Sequence, residues 1–398
     1  MEPNEQTPPN NNQTDLTPQE IAQNAFQKDS ENPDLGAIDK DKLKKPKRFS
    51  LKNLTKKQKI ILVVVVIALI AGGFSSWWFV LRGKPVTLNN VGEPVEQAPT
   101  ETPTYSRITG LEVDTEVNER NVTGVMIENS PDARPQSGLR DADIVYEAVA
   151  EGGITRFLAL FHDTSPKYVG PVRSARPYYL YWALPFDSSL AHVGGSPEAL
   201  GLIKAYKIRD LDQFHNSGAF ERVTSRYAPH NVYTSIDKLD ALEKQKGFKP
   251  GNYTAFERKT AKEPSGEMTA ETINFNISSY LYNVKFNYNK DDNTYTRHQA
   301  GKRHLDEKSG KAIVSDVVVA LVMTKGIHSD GHHTTYKTTG SGKMFVFQDG
   351  QVIKGTWKKS DHDVQFKFLD ANDQPIKLNP GKTWITAVGA ASQVKYKP

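Results

Sequence analysis

The residue types best suited to binding or chemistry stand in a short loop, residues 170–177, which reads GPVRSARP. Arg176 precedes Pro177, and a residue before proline is driven out of the helical region, so the pattern predicts a helix that begins at Pro177. Arg173, Ser174 and Arg176 then lie around a helix N-terminus, whose free N–H groups and dipole favour an anion. Because the guanidinium fork fits phosphate and carboxylate groups, the loop is predicted to bind one of them.

The arginines of this loop also have a structural interpretation. Three acidic residues elsewhere in the same region, Glu128, Glu147 and Glu151, could pair with them inside the fold. Structural ion-pair networks are common, so a set of charges alone does not identify a binding site. Both interpretations stay open at the level of the sequence.

Two further polar segments could reach the same ligand. In AHVGGSPEAL, Ser196 is a predicted helix N-cap, and His192 precedes a Gly-Gly turn that is either a ligand contact or a routine strand-to-helix turn with a packed histidine. The segment ERVTSRYAPHN forms a polar loop before the next predicted helix, over residues 236–246. The predicted ligand-binding residues are Arg156, Arg173, Ser174, Arg176, His192, Ser196, Arg222, His230 and Asn231.

Glu147 and Glu151 could form a catalytic pair of carboxyl groups, one acid and one base. Four residues along a strand separate their backbones by about 13 Å, whereas hydrolytic pairs sit about 5–10 Å apart. The sequence therefore favours a turn cap for Glu151 and an arginine partner for Glu147. No catalytic residue is assigned, and Glu147 and His192 are the candidates for proton transfer.

His328, Asp330 and His332 lie in the segment HSDGHH and resemble a cluster of metal ligands. Zinc needs three or four well-fixed ligands, and the spacing places no fourth, so no metal is predicted. No cofactor is predicted either, because the segment GSGK lacks the earlier glycine and the Ser or Thr of a phosphate-binding loop. The chain contains no cysteine, which excludes disulfides, thiol nucleophiles and a lipid-modified cysteine anchor.

The elements that must position these residues indicate an α+β fold. Apolar runs predict strands over residues 122–128, 141–150 and 155–162, and EGGI between the last two is a hairpin turn. Residues 105–262 are therefore predicted as a mixed α/β domain. Short, regularly spaced strands, two of them joined by a DG turn, predict a small and mostly-β domain, a sandwich or barrel, over residues 268–398.

The N-terminal part predicts a membrane anchor. Residues 60–81 are 22 residues without a charge, which as a helix span about 33 Å, enough for a hydrocarbon core of about 30 Å. Ten Lys and Arg residues between positions 40 and 59 precede this span, which places the N-terminus in the cytoplasm and the later domains outside. The prediction is a disordered cytoplasmic tail over 1–48, a basic flank and transmembrane helix over 49–82, and a Pro/Thr/Glu-rich linker over 83–104.

This basic block, with ten Lys and Arg residues and one acidic residue, carries more positive charge than the net +5 of the whole chain, and the rest of the chain is close to balanced. Nucleic-acid binding is therefore not predicted. The predicted location is the cell membrane, crossed once. The predicted partners are the lipid bilayer, through residues 60–81, and a cell-wall polymer or another envelope protein.

Several long segments resemble the YerB-like lipoprotein family, bacterial proteins of unknown function. They are DARPQSGLRDADIVYEAVAEGGITRF, GPVRSARPYYL, HVGGSPEAL and APHNVY, with fainter similarity in YTRHQAGKRHLD and NPGKTWI. The resemblance covers residues 118–388 and implies a surface-exposed envelope protein with two adjoining domains and no established reaction. The chain departs from lipoprotein members because it lacks a cysteine for the lipid.

A fainter resemblance is to the LytR–CpsA–Psr enzymes, which move glycopolymers from lipid pyrophosphates to the cell wall. The order ADIVYEAVA, RSARP, HVGGSPEAL is similar to their Asp-rich strand, Arg loop and Gly-Gly turn, but their Arg-Asp-Thr signature is absent. Three hypotheses follow. The chain binds an anionic envelope ligand (wall glycopolymer, peptidoglycan or lipid-carrier phosphate), or it is a transferase or hydrolase of lipid pyrophosphates, or it is a non-catalytic envelope scaffold.

Overall fold

Strands dominate the structure, a computed structural model that describes residues 103–262, 264 and 266–398. The strands before residue 262 are β1 (Thr123–Glu128), β2 (Ile144–Glu151), β3 (Ile154–Phe161), β4 (Ser189–His192), β5 (Arg209–Asp212), β6 (Glu221–Arg222) and β7 (Val232–Tyr233). The later strands are β8 (Thr272–Phe275), β9 (Val284–Asn289), β10 (Thr294–Gln299), β11 (Lys302–Arg303), β12 (Val314–Ser315), β13 (Val317–Val322), β14 (Lys325–Ile327), β15 (Thr334–Tyr336), β16 (Gly340–Gln348), β17 (Gln351–Lys359), β18 (Lys367–Leu369), β19 (Thr383–Val388) and β20 (Val394–Lys397). The α-helices are α1 (Pro177–Ala183), α2 (Pro197–Ala205) and α3 (Ile236–Gln245).

A ten-stranded mixed sheet takes strands from both predicted domains. Its order is β18-β17-β16-β13-β19-β2-β3-β1-β4-β5. The junction is the parallel pairing of β19 with β2, in which Thr383 lies opposite Ile144 and Thr386 opposite Glu147. Residues on the two sides of the predicted boundary at 262–268 therefore share one hydrogen-bonded sheet.

The mostly-β character predicted for the second half is confirmed, but most of its strands are divided between two sheets, and β14 and β15 form a separate hairpin. β8 to β12 and β20 form a six-stranded sheet, whereas β13 and β16 to β19 belong to the ten-stranded one. The reason lies in composition. The segments VVVALV of β13 and TWITAV of β19 are apolar on both faces and almost fully buried, which is typical of central strands covered on both sides rather than of a one-sided sandwich.

Each face of the large sheet has its own apolar core. On one face α1 and α2 pack through residues such as Trp182 and Ile203 against Tyr146 and Leu158. The other face is covered by α3 and by the six-stranded sheet, and this core includes Phe157, Trp384, Phe286 and Leu239. Full burial of one such side chain contributes about 1.5–3 kcal/mol, so the two cores fix the positions of the strands that carry the polar residues.

The local predictions in the first half are confirmed. The three predicted strands correspond to β1, β2 and β3, and the turn between the last two uses Gly152 and Gly153 at φ values of 54° and 79°, which only glycine adopts readily. α1 begins at Pro177. Ser196 caps α2, and Ser235 caps α3, by accepting backbone N–H groups of the first turn.

The predicted tail, transmembrane helix and linker lie outside the described residues, apart from the end of the linker at 103–104. Within the described part of the chain, no helix is both long and apolar enough to cross a bilayer. The membrane anchor at residues 60–81 therefore stays a prediction from the sequence.

A buried carboxyl group before β2 gives the fold a pH dependence. Asp143 is buried, and its Oδ2 accepts the backbone N–H groups of His162 (2.6 Å) and Asp163 (2.9 Å). Burial, together with the nearby carboxylate of Asp163, raises the pKa of Asp143 from 3.8 to about 7. Between these values the folded protein holds a proton that the unfolded chain releases, so the free energy of unfolding falls as the pH rises through this window.

We expect Asp143→Asn to remove this contribution. The amide is neutral at every pH, and its oxygen can still accept the two backbone N–H groups. Urea unfolding of both proteins from about pH 4 to about pH 8 should show the variant gaining stability relative to the wild type as the pH rises. If the difference in unfolding free energy between the variant and the wild type stays constant over this pH range, the raised pKa of Asp143 is contradicted.

Candidate functional site

The Arg-Ser-Ala-Arg loop lies between the end of β1 and the turn that follows β4. On one side the Arg173 N–H donates to the carbonyl of Met126 (2.9 Å). On the other side the Arg173 carbonyl accepts from Val193 (3.1 Å), and the Ala175 N–H donates to Gly194 (2.9 Å). The loop is thus held on both sides by backbone hydrogen bonds, which fixes where its two arginine side chains begin.

Arg156 and Arg176 are both neutralised by Glu151. The two oxygens of Glu151 are divided between them, with Oε1 2.5 Å from Nη2 of Arg156 and Oε2 2.9 Å from Nη2 of Arg176. The other terminal nitrogen of each arginine donates to a backbone carbonyl, Arg156 to Ser174 (2.9 Å) and Arg176 to Ala175 (2.7 Å). Nε of Arg176 also donates to Glu151, whereas the buried Nε of Arg156 has no hydrogen-bond partner among the described residues. The arginine side chains are only 3% and 8% exposed. Arg156 and Arg176 therefore both form closed ion pairs, in agreement with the structural interpretation of these arginines.

The ionisation of this group follows from the same contacts. Burial opposes ionisation of Glu151, but the charges and hydrogen bonds of Arg156 and Arg176 outweigh it and lower the pKa of the carboxyl group. Burial, followed by repulsion from Arg156, lowers the pKa of the Arg176 guanidinium. Glu151, Arg156 and Arg176 together carry one carboxylate and two guanidinium groups, which gives a net charge of about +1 beneath the loop.

Arg173 is placed differently. Its Nε lies 3.4 Å from Oε1 of Glu128, and its side chain is 26% exposed. The terminal nitrogens of Arg173 donate no hydrogen bond to any residue that the structure describes. Glu128, which is 4% exposed, also accepts from Ser130 Oγ (3.0 Å) and lies 3.0 Å from Nδ1 of His230. The carboxylate is therefore shared, and the end of the Arg173 guanidinium remains available.

The segment ERVTSRYAPHN folds back toward this loop. β6 and β7 pair Arg222 with Val232, and the Val232 carbonyl accepts the N–H of Val172 at 2.7 Å. Arg222 itself donates to the Asn231 side chain at 2.9 Å. Of the predicted residues, His230 meets Arg173 at the shared Glu128 carboxylate, and Asn231 and Arg222 contact each other in the same segment. We call Arg173, His230, Asn231 and Arg222 the Arg173 surface.

The two candidates for proton transfer lie elsewhere, and both are fully buried. Glu147 accepts from Arg297 (2.9 and 3.0 Å) and from Trp384 Nε1 (3.1 Å). His192 lies 2.8 Å from the Gly194 carbonyl and 3.0 Å from the Asp210 carboxylate. Each side chain is enclosed by protein partners, so neither is presented to solvent at the Arg173 surface. The arginine partner predicted for Glu147 is confirmed.

The histidine segment forms the tip of the β14–β15 hairpin. Asp330 Oδ2 lies 2.7 Å from Nδ1 of His333 and 2.9 Å from Nδ1 of His328, while His332 contributes only its backbone N–H to Asp330. The hydrogen bonds from the His333 side chain, the largest cause, and from the backbone of His333 and His332 lower the pKa of Asp330. Among the described residues, no group of three or more His, Asp or Glu side chains is arranged to hold a metal ion.

Sequence reasoning missed the polar network around Glu147. Arg297 on β10 is fully buried, and it also donates to Gln299 (2.8 Å) and contacts His304, whose Nε2 lies 2.7 Å from Gln136. The network therefore joins the two sheets. One signal was present, because Tyr295, Arg297 and Gln299 alternate along β10 and share its buried face. That alternation places Arg297 among core residues.

Comparison with known proteins identifies the family. Residues 108–249 match "Protein of unknown function (DUF3048) N-terminal domain", and residues 272–385 match the corresponding C-terminal domain. The chain is 36% identical over 287 residues to "Putative lipoprotein YerB" of Bacillus subtilis (strain 168), which covers 71% of this chain and 85% of that protein.

The fold agrees with this assignment. The crystal structure of YerB protein from Bacillus subtilis aligns with a TM-score of 0.67 at 32% identity, over 74% of this chain and all of the YerB chain. Both halves of the described structure are therefore matched by family models and by a solved relative. The chain belongs to the YerB-like DUF3048 family of bacterial proteins of unknown function.

Proposed function

We propose that the chain is an extracytoplasmic protein of the cell envelope, anchored by one transmembrane helix, that binds an anionic ligand at the Arg173 surface. The relative carries the name "Putative lipoprotein YerB", which supports membrane association in the family. This chain has no cysteine to carry a lipid, and the uncharged residues 60–81 offer another means of attachment. The basic block before them supports an extracytoplasmic location for the folded part.

The observation that carries the binding proposal is the uncommitted end of the Arg173 guanidinium. Arg156 and Arg176 offer no exposed charge, because their terminal nitrogens donate to Glu151 and to backbone carbonyls. Arg173 shares its one carboxylate partner with His230. Two parallel N–H groups of a guanidinium suit a phosphate or carboxylate oxygen pair.

The binding free energy that one arginine can supply limits the kind of ligand. One charge-assisted contact contributes about 1.5–3 kcal/mol, whereas micromolar affinity requires about 8 kcal/mol. A single anion at Arg173 would therefore bind weakly. A polymer that repeats the anionic group is favoured, because neighbouring repeats, or neighbouring copies of a membrane-anchored protein, raise the effective concentration at the site. Wall glycopolymers with phosphate groups and peptidoglycan with carboxylates both have this property.

The test is equilibrium binding by the full-length protein in detergent micelles. Three separate ligands distinguish the source of the anion: phosphate-bearing wall glycopolymer, peptidoglycan fragments, and vesicles containing polyprenyl phosphate. We expect one of them to bind, with an affinity that falls as salt is added because the contact is charged and exposed. Arg173→Gln should weaken that binding about tenfold or more.

Arg303→Gln is the matched control, because Arg303 is an exposed arginine on β11, away from the loop. It should leave binding unchanged. Failure of all three ligands to bind, or equal binding by wild type and Arg173→Gln, would overturn the proposal. The closed Arg156–Glu151–Arg176 group would then favour the alternative of a non-catalytic scaffold, in which the arginines only stabilise the fold.

A further inference from the structure

A separate pocket of about 330 Å³ lies between the first turns of α1 and α2 and the β14–β15 hairpin. This volume is at the lower end of the range for small-molecule sites, about 300–1,000 Å³. Three tyrosine side chains line it, namely Tyr178, Tyr181 and Tyr336. Tyr178 and Tyr336 are in edge-to-face contact with ring centroids 4.9 Å apart, and the Tyr336 hydroxyl accepts the N–H of Val149 at 3.1 Å. The aromatic wall is therefore fixed in place.

The charged groups of this pocket are acidic. Glu198 and Asp330 line it together with His328 and His333, and no lysine or arginine is among the described residues of its lining. Asp330 is already engaged by both histidines. The fixed side-chain charge of the pocket is therefore opposite in sign to that of the Arg173 surface. The described lining contains no lysine or arginine that could pair with an anion.

Glu198 is the available charge. Its side chain is 53% exposed, its nearest charged neighbour is Nε2 of His328 at 3.9 Å, and no described residue donates a hydrogen bond to it. Ser196 and Pro197 start α2 and hold Glu198 in the first turn, so its position at the pocket follows from the helix cap. A half-exposed carboxylate that has only a long contact to one histidine, and that lies beside aromatic rings, complements a cation.

We infer that this pocket binds a small organic cation, an ammonium group carried on a compact apolar body. The ammonium would lie at Glu198, where it gains a charge-assisted contact, and the apolar part would lie against the tyrosine rings. The inference does not depend on the Arg173 surface, because the two sites share no residue. It explains why a mostly apolar, aromatic pocket carries at its wall a half-exposed carboxylate whose only close charged neighbour among the described residues is His328, 3.9 Å away.

The probe is n-butylammonium, titrated into the full-length protein in detergent micelles and followed by calorimetry. Two probes of nearly equal size and different charge, n-butanol and butyrate, are the ligand controls. We expect n-butylammonium to bind weakly, with a millimolar dissociation constant. We expect n-butanol and butyrate to bind at least about tenfold more weakly still. Equal binding of all three, or preferred binding of n-butanol or butyrate, would overturn the inference.

Two variants locate the site. Glu198→Gln should weaken n-butylammonium binding about tenfold, and it should not affect folding because the side chain is exposed. Glu116→Gln removes an acidic group of the same kind from the exposed turn Thr115–Glu119 and should bind like the wild type. Unchanged binding by Glu198→Gln, or equal losses in both variants, would show that the cation does not bind at this pocket.

Discussion

Replacing Arg297 with methionine is expected to lower the free energy of unfolding by about 3–5 kcal/mol, the usual cost of leaving one charge of a buried pair without its partner. Arg297 and Glu147 are both 0% exposed, and two nitrogen–oxygen distances of 2.9 and 3.0 Å join them. Arg297 also lies over the Trp384 ring, 4.4 Å from its centroid. The pair links β10 to β2, so its loss should loosen the contact between the two sheets.

Urea unfolding at neutral pH measures this effect. The matched control is Arg303→Met, which alters an exposed arginine of the neighbouring strand and should change stability by about 0.5 kcal/mol or less. The double variant Glu147→Gln with Arg297→Met should recover part of the loss, since no buried charge is left unpaired. A loss below about 1 kcal/mol in Arg297→Met would contradict the buried ion pair.

Replacing Glu151 with glutamine is expected to cost about 2–4 kcal/mol, because one change leaves two buried guanidinium groups facing each other without a counter-charge. Glu151 is 22% exposed, so solvent screens part of the loss and the expected value lies below that of a fully enclosed pair. Arg156 and Arg176 would then repel each other at the base of the loop.

The same unfolding measurement tests this prediction, with Glu116→Gln as the control for loss of an exposed carboxylate. Arg176→Gln in the Glu151→Gln background should cost less than Arg176→Gln alone, since the partner is already gone. Additive losses would show that Glu151 and Arg176 act independently, contrary to the closed group described above.

Local structure could be predicted from the sequence because it depends on neighbours in the chain. The hairpin at Gly152 and Gly153, the start of α1 at Pro177 and the Ser196 cap all follow from residue types over a few positions. The pairing of β19 with β2 could not be predicted, because it joins Thr386 to Glu147 across the length of the folded part, and periodicity says nothing of distant partners.

The candidate site shows the same division. The sequence showed which acidic residues could pair with the arginines, but not which acid pairs with which arginine. In the structure Arg156 and Arg176 share Glu151, whereas Glu147 pairs with the distant Arg297. From the sequence alone, Arg173 and Arg176 are equivalent candidates for the ligand contact. Their difference arises from side-chain direction across the loop, one toward Glu151 and one toward Glu128, and residue spacing in an irregular segment does not determine that direction.

The most direct test compares Arg173→Gln with Arg176→Gln in the full-length protein, with the anionic ligand that the wild type binds. Unfolding free energy and binding affinity are measured on each variant. We predict that Arg173→Gln loses about 1 kcal/mol of stability or less and binds about tenfold more weakly. Arg176→Gln should lose more stability and keep the affinity of the wild type. Binding that is lost in Arg176→Gln and kept in Arg173→Gln, or kept in both, would contradict the assignment of Arg173 as the ligand contact.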